Sequence, residues 1–468
     1  MGKRYLMPIS VLLYTTTCLS VVYLLLHPPM LNFIFSETLY VYSILLFLLS
    51  IIFELIIIYK GRLLTPSLFL LMIFVSFPLL GSLGFKRIFE TYSSFVGRQL
   101  PSFAFPTFVW SFGTFCFFGG VLLSYFLLAR LKFNYIALWN RKRMLLLLIL
   151  SLLLSTLVTI ISLYKIGYIP LIRGDHLNER LNYGKIIGRF ILRFDLWVVV
   201  GLLSSMLFVL KKNKKRYIYL FLTIISALGT AVYGQRMQLV IILFILGLMY
   251  FKFTKVKKSQ VLLIGISFYL ILYILMLQTR HRAGDNLSDI SYLPSIETVI
   301  INAYPEWRYY SIVVNEAKSS SNYLGWQILS GPFIIFIPRP IFTFLGSDKN
   351  ACIREYSAVY YYGKEFNMPY GIRITPIGEA FAAFGIGGVF FYMLFYGIFF
   401  GVFEKIYIAL RKPDARLFII CYLLSLMMFL PMSTINNLFG PLAGTGPFVF
   451  AYYIFGTRKY ELEESKIE

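Results

Sequence analysis

The chain has 468 residues, of which 59% are hydrophobic and 18% aromatic, with a mean hydropathy of +0.75. Charged residues make up only 14%, against about 25% in ordinary soluble domains, and that difference excludes a soluble globular protein. The net charge of +23 does not point to nucleic acid, because the basic residues stand mostly in short clusters between apolar runs, where they act as topology signals.

The chain begins with Lys3 and Arg4 ahead of an apolar run over 6–26. Its length suits a membrane span, and His27, Pro28 and Pro29 follow it instead of a small-residue cleavage site. Further runs of crossing length cover 39–59, 67–85, 107–128, 144–164, 194–210, 217–233, 239–253, 261–277, 377–403, 417–430 and 442–455. The expected fold is all-α: a polytopic membrane protein of about twelve transmembrane helices. Eleven is the alternative, because 217–233 and 239–253 are short and the last run is interrupted by Gly440, Pro441, Gly444, Gly446 and Pro447. No internal repeat is visible. The segments expected are a bundle over 1–277, a long loop over 278–376 and a second membrane part over 377–468.

With the N-terminus in the cytoplasm, the internal turns collect the basic clusters. These include Arg141 to Arg143, the run Lys211, Lys212, Lys214, Lys215 and Arg216, and Lys255, Lys257 and Lys258. That distribution follows the positive-inside rule, so both termini are expected inside and the long loop outside. Glu54 falls within the second span, towards its cytoplasmic end, where it is expected to bond within the bundle. Cys18, Cys116, Cys352 and Cys421 form no CxxC motif or Cys/His cluster, hence no disulfide framework and no metal site.

Two external stretches are polar. The first, 165–195, carries Arg173, His176, Glu179, Arg180, Arg189 and Arg193. It reads either as an amphipathic helix on the outer surface or as an anion site at the mouth of the bundle. Arg236, in the turn YGQRMQ, has no acid near it in sequence and suits either a lipid phosphate or a bound anion. The second stretch is the loop over 278–376, with Arg280, His281, Arg282, Arg339 and Arg373. Loops carry function while spans supply scaffold. Tyr356, Tyr360, Tyr361 and Tyr362 in this loop suit either stacking on sugar rings or an interfacial aromatic belt.

This layout resembles the oligosaccharide repeat-unit polymerases (Wzy type) of O-antigen and capsule assembly. The resemblance rests on the number of spans, the Arg-rich external loop near the middle, the GQR turn at 234–236, FIPRPIF at 336–342 and TPIGEAFAAFGIGGVFF at 375–391. Members are described with an Arg and a Gly separated by ten residues. Arg173 with Gly184 and Arg236 with Gly247 have that spacing, whereas no arginine of the long loop does.

The resemblance implies a multi-pass glycosyltransferase of the cytoplasmic (inner) membrane with an extracytoplasmic active site. Its donor and acceptor would be polyprenyl-pyrophosphate-linked oligosaccharides, with a chain-length regulator and a flippase as pathway partners. Cofactors are expected to be none, and metal none. The pyrophosphate leaving group would be bound by Arg173, Arg236, Arg280, Arg282, Arg339 and Arg373, since guanidinium stays charged and pairs bidentately with phosphate oxygens. A general base would take the acceptor proton. His281, kept neutral between Arg280 and Arg282, ranks first, His176 second and Glu379 third. A flippase for the same lipid-linked glycans, or an O-antigen ligase, are the alternatives. A flippase has less use for a long loop on one face.

Overall fold

A computed structural model describes residues 37–61, 65–71, 73–75, 77–78, 103–129, 135–167, 196–210, 216–232, 236–253, 305–320, 323–325, 374–410, 414–429, 442 and 445–461. In chain order the elements are α1 (Glu37–Gly61), α2 (Pro66–Val75), α3 (Ala104–Leu127), β1 (Tyr135–Trp139), α4 (Arg141–Ile166), α5 (Leu196–Leu210), α6 (Arg216–Val232) and α7 (Arg236–Phe253). They continue with α8 (Pro305–Ser320), α9 (Thr375–Ala409), α10 (Arg416–Phe429), α11 (Gly446–Gly456) and β2 (Thr457–Glu461). Among the described residues α1, α3, α4 and α9 are long and apolar enough to cross a membrane, and α2, α5, α6, α10 and α11 contribute shorter apolar helices. The fold is therefore that of an all-α membrane protein, with one addition that the apolar pattern does not foretell: β1 and β2 pair antiparallel, Tyr135 opposite Glu461 and Trp139 opposite Thr457. The expected spans 6–26 and 261–277 lie outside the described residues.

The chain forms two compact units that interleave along the sequence. In the first, α1 and α8 pack on α3. Helices α3 and α9 approach closely through glycines: a Cβ on Gly397 would collide with the Phe117 carbonyl, and one on Gly120 with that of Leu394. Small residues of this kind let membrane helices meet backbone to backbone.

In the second unit α5 is surrounded by α4, α6, α7 and α10, and twelve of its fifteen residues are buried. A helix apolar on every side belongs in an interior. Helix α6 shows what the outer solvent is. Its buried face holds Thr223, Ser226, Ala227 and Thr230, and its exposed face Tyr217, Ile218, Phe221, Ile224 and Leu228. The small and hydroxylated residues face protein, where Ser204 and Thr223 share a 2.8 Å hydrogen bond and Ser226 donates to the Trp197 carbonyl. The large apolar residues face outward, the reverse of a water-soluble helix and the arrangement suited to lipid. Helix α4 repeats it: Ser151, Ser155 and Ser162 are buried, while Leu146, Leu153 and Ile160 are 65%, 64% and 59% exposed.

The ribbon β1–β2 ties down one end of this unit. Asn140 caps α4 by accepting from the backbone N–H groups of Lys142 and Arg143, and its own N–H donates to the Gly456 carbonyl at 2.9 Å. Arg143 donates to the Phe455 carbonyl at 3.2 Å, a basic side chain at a helix C-terminus where the dipole favours it. Asp414 accepts from the Arg416 backbone N–H and from its Nε, each at 2.9 Å, at the start of α10.

Candidate functional site

The sequence TPIGEAFAAFGIGG folds into a helix that breaks. Along α9 the helical dihedrals hold except at Phe384 (φ −143°, ψ 21°) and Gly385 (φ 64°, ψ −148°). Gly385 takes a conformation that L-residues rarely adopt. A break of this kind frees carbonyls that must be satisfied inside a membrane protein. They are: the Leu324 N–H donates to Ala382 O at 3.0 Å and the Gly325 N–H to Ala383 O at 2.9 Å. The segment 323–325, from the long polar loop of the sequence, thus completes the hydrogen bonding of a broken apolar helix. Tyr323 lies against the break, close enough that a Cβ on Gly385 would meet its Cζ at 3.1 Å.

The first segment of α9 starts under strain as well. Thr375 has φ 67°, an outlying value for a β-branched residue, and its hydroxyl accepts from the Gly378 N–H at 3.3 Å. Glu379 follows, 5% exposed. The Glu379 carboxyl interacts electrostatically with the Tyr392 phenol on the far side of the break.

Helix α8, which precedes this segment in the sequence, packs on α3. Trp307 and Tyr310 are fully buried in an aromatic cluster with Trp110, whose ring lies 5.9 Å from that of Trp307 and 5.4 Å from that of Tyr310. The Tyr310 hydroxyl donates to Pro106 O at 2.9 Å, and burial pushes its phenol well above the ordinary value, so it remains a donor. Tyr310 also packs under Gly378, where a Cβ would sit 2.9 Å from Cδ2. Lys318, exposed at the end of α8, has its ammonium 4.0 Å from the centroid of Phe105, and Phe105 and Tyr323 both pack edge-on against Phe381. An exposed cation and an exposed phenol from the loop are thereby gathered around Phe381, on the same first segment of the broken helix that carries the buried Glu379.

Of the residues expected to act as base or to bind pyrophosphate, Glu379 is the one whose side chain is described. Arg236 is the first residue of α7, at a helix start and not in a turn. Arg173, His176, Arg280, His281, Arg282, Arg339 and Arg373 lie outside the described residues, as do the tyrosines 356 and 360–362. Sequence reading missed Lys318, Tyr323 and the break itself. The available signal was the cluster Gly385, Gly387 and Gly388 inside an apolar run, since glycine in a helix interior costs stability and marks a local departure. Among the described residues no group of His, Cys, Asp and Glu has metal-site geometry. Comparison with protein-family models, with curated proteins and with solved structures finds no match to this chain.

Proposed function

We propose that this protein is a membrane glycosyltransferase that polymerises polyprenyl-pyrophosphate-linked oligosaccharide repeat units on the outer side of the cytoplasmic membrane. The observation that carries the reading is the broken helix α9, with Glu379 buried on its first segment and a loop element docked against the break. Interrupted backbone at membrane depth belongs where it is buried in protein or lines a cavity, and reactive groups concentrate where scaffold meets loop.

In the proposed reaction an acceptor sugar hydroxyl attacks the anomeric carbon of the donor. The new glycosidic bond forms as the bond to the pyrophosphate oxygen breaks. The hydroxyl proton passes to the base, and the electron pair leaves with the polyprenyl pyrophosphate, whose charge the arginines stabilise. Glu379 joins His281 and His176 as a candidate base, and Arg373, six residues ahead of it in sequence, joins the pyrophosphate clamp.

The same broken helix favours a second reading, a flippase for these lipid-linked glycans, because discontinuous helices build the substrate sites of many transporters. Glycan analysis of a deletion strain separates the readings. A lost polymerase leaves single repeats capped on the final acceptor, and this is the expected result. A lost ligase leaves long unattached polymer on polyprenol, and a lost flippase leaves repeats confined to the inner leaflet. Either of the latter two overturns the polymerase reading.

A further inference from the structure

The two segments of α9 meet α3 in opposite directions. On the second segment Gly397 lies against Phe117 and Gly401 against Ser124, so that segment runs parallel to α3. On the first, Ile377 lies against Gly113, where a Cβ would sit 2.9 Å from its Cδ1, and the Phe381 ring lies 5.6 Å from that of Phe105. The first segment therefore runs antiparallel to α3. Ile377 and Gly397 stand twenty residues apart in α9, about 30 Å along a straight helix. Their contacts on α3, Gly113 and Phe117, stand four residues apart, only about 6 Å. The break at Gly385 is thus the tip of a hairpin. Two contacts across it agree: a Cβ on Gly388 would collide with the Ala380 carbonyl, and the Glu379 carboxyl interacts electrostatically with the Tyr392 phenol.

The tip lies at the start of α3, where Phe105 meets Phe381 and the Lys318 ammonium, with Tyr323 beside Gly385. From there the 24 residues 386–409 extend about 36 Å, enough to cross a hydrocarbon core of about 30 Å. All 35 residues of α9 in one line would reach about 52 Å, far more than one crossing needs. The surroundings of the two segments differ accordingly. Every residue from Thr375 to Ala383 is buried, whereas the second segment exposes Phe391, Phe395 and Phe399 at 60%, 56% and 60%. A segment that enters a bilayer and returns must be shielded by protein. Gly378, Ala380, Ala382 and Ala383 make it slim enough to fit among its neighbours.

We propose that 375–383 is a re-entrant half-helix, inserted from the side of the 323–325 loop to the depth of Gly113, and that Glu379 is served from that side alone. The crossing itself is left to 386–409. A half-helix of this kind carries a polar side chain part of the way into the bilayer without opening a path across it, which suits chemistry on lipid headgroups of one leaflet. The inference rests on no reading of the protein's activity.

Single cysteines test it in right-side-out and inside-out membrane vesicles, in a full-length chain whose Cys18, Cys116, Cys352 and Cys421 are replaced by alanine. The side from which a membrane-impermeant maleimide labels Ser319→Cys, exposed at the end of α8, defines the loop side. Gly387→Cys is exposed, with open space around its Cβ, and it stands just past the tip. It is expected to label from the loop side as Ser319→Cys does, while Phe399→Cys labels from neither. On a straight α9 Gly387 would lie about 18 Å inside the membrane. A Gly387→Cys that resists the reagent overturns the proposal. The fold-back has a second, independent check. Gly113→Cys with Ile377→Cys should close an intrachain disulfide on mild oxidation, since the close contact suits its geometry, and folded protein without that cross-link overturns the hairpin. Glu379→Cys should react with a small charged methanethiosulfonate from the loop side only; reaction from the opposite side, or from neither, overturns the one-sided access.

Discussion

Helix α9 carries a buried carboxyl near each of its ends, and the two are handled differently. At Glu404 the helix is regular, and the polar demand is met across helices by Ser67, with Glu54 and Tyr125 alongside. At Glu379 the helix itself gives way: its carbonyls at 382 and 383 turn to a loop, and two residues adopt unusual backbone. Strain of that kind persists only when the surroundings over-determine it, and it gathers at functional sites. The first end is a closed polar cluster between helices, the second a place where a scaffold helix meets a loop bearing Lys318 and Tyr323.

Helix α9 is pressed against α3 between its two ends, and Gly397 is where that contact is most easily broken. A methyl group there meets the Phe117 carbonyl, a backbone atom that cannot swing aside. Alanine in place of glycine within a helix normally gains about 1 kcal/mol. Gly397→Ala is expected to reverse that sign and cost about 3 kcal/mol through overpacking, seen as a lower Tm and a poor yield of monodisperse protein. An unchanged Tm would show that α3 and α9 are not pressed together.

Function separates the ends next. Glu379→Gln keeps the shape of the side chain and removes its capacity to take a proton. If Glu379 is the base, polymerisation of purified lipid-linked repeats falls about 10²-fold or more, with Tm near that of wild type. Retained activity would pass the role to His281 or His176, and a loss of Tm equal to the loss of activity would make the residue structural.

Gly385→Ala addresses the break directly. A non-glycine residue at that backbone conformation costs about 1–3 kcal/mol, and the new methyl presses on Tyr323. The 323–325 segment is expected to loosen first, so proteolysis or hydrogen exchange at Leu324 and Gly325 should rise while the Glu404 end stays protected. Uniform loosening of both ends would mean that α9 unfolds as one piece and that its ends are not independent.

The sequence announces these two ends unequally. Apolar runs locate helices well: 144–164 lies within Arg141–Ile166, 107–128 overlaps Ala104–Leu127, and 377–403 lies within Thr375–Ala409, because lipid imposes a length and composition that a single chain displays. The ribbon of Tyr135–Trp139 with Thr457–Glu461 is not displayed, since each strand is short and finds its partner only through the fold. The role of Glu54 as a group bonded within the bundle was readable from its place in a span. Its neighbour Glu404 stands one residue beyond the apolar run 377–403, where the sequence reads it as a loop charge, because the Ser67 contact that places it spans most of the chain. The break at Gly385 left a glycine cluster in the sequence, but the segment that satisfies it is a tertiary contact invisible to periodicity.

The smallest effect expected is at Tyr310, which fixes α8 to α3 and so underlies the loop's approach to the break. Tyr310→Phe keeps the ring in its aromatic cluster and removes the hydrogen bond to Pro106 O, a loss of about 1 kcal/mol near pH 8. The pH dependence carries a definite sign. The buried phenol titrates well above its ordinary value, so the folded state holds that proton more tightly than the unfolded chain. Its contribution is complete below the unfolded value of about 10 and shrinks as pH rises from there towards the folded value. Wild type should therefore exceed Tyr310→Phe in Tm at pH 8, and the gap should narrow above pH 10. A gap that is constant through alkaline pH would mean that the Tyr310 hydroxyl reaches water, and that α8 is less firmly seated on α3 than the Glu379 end requires.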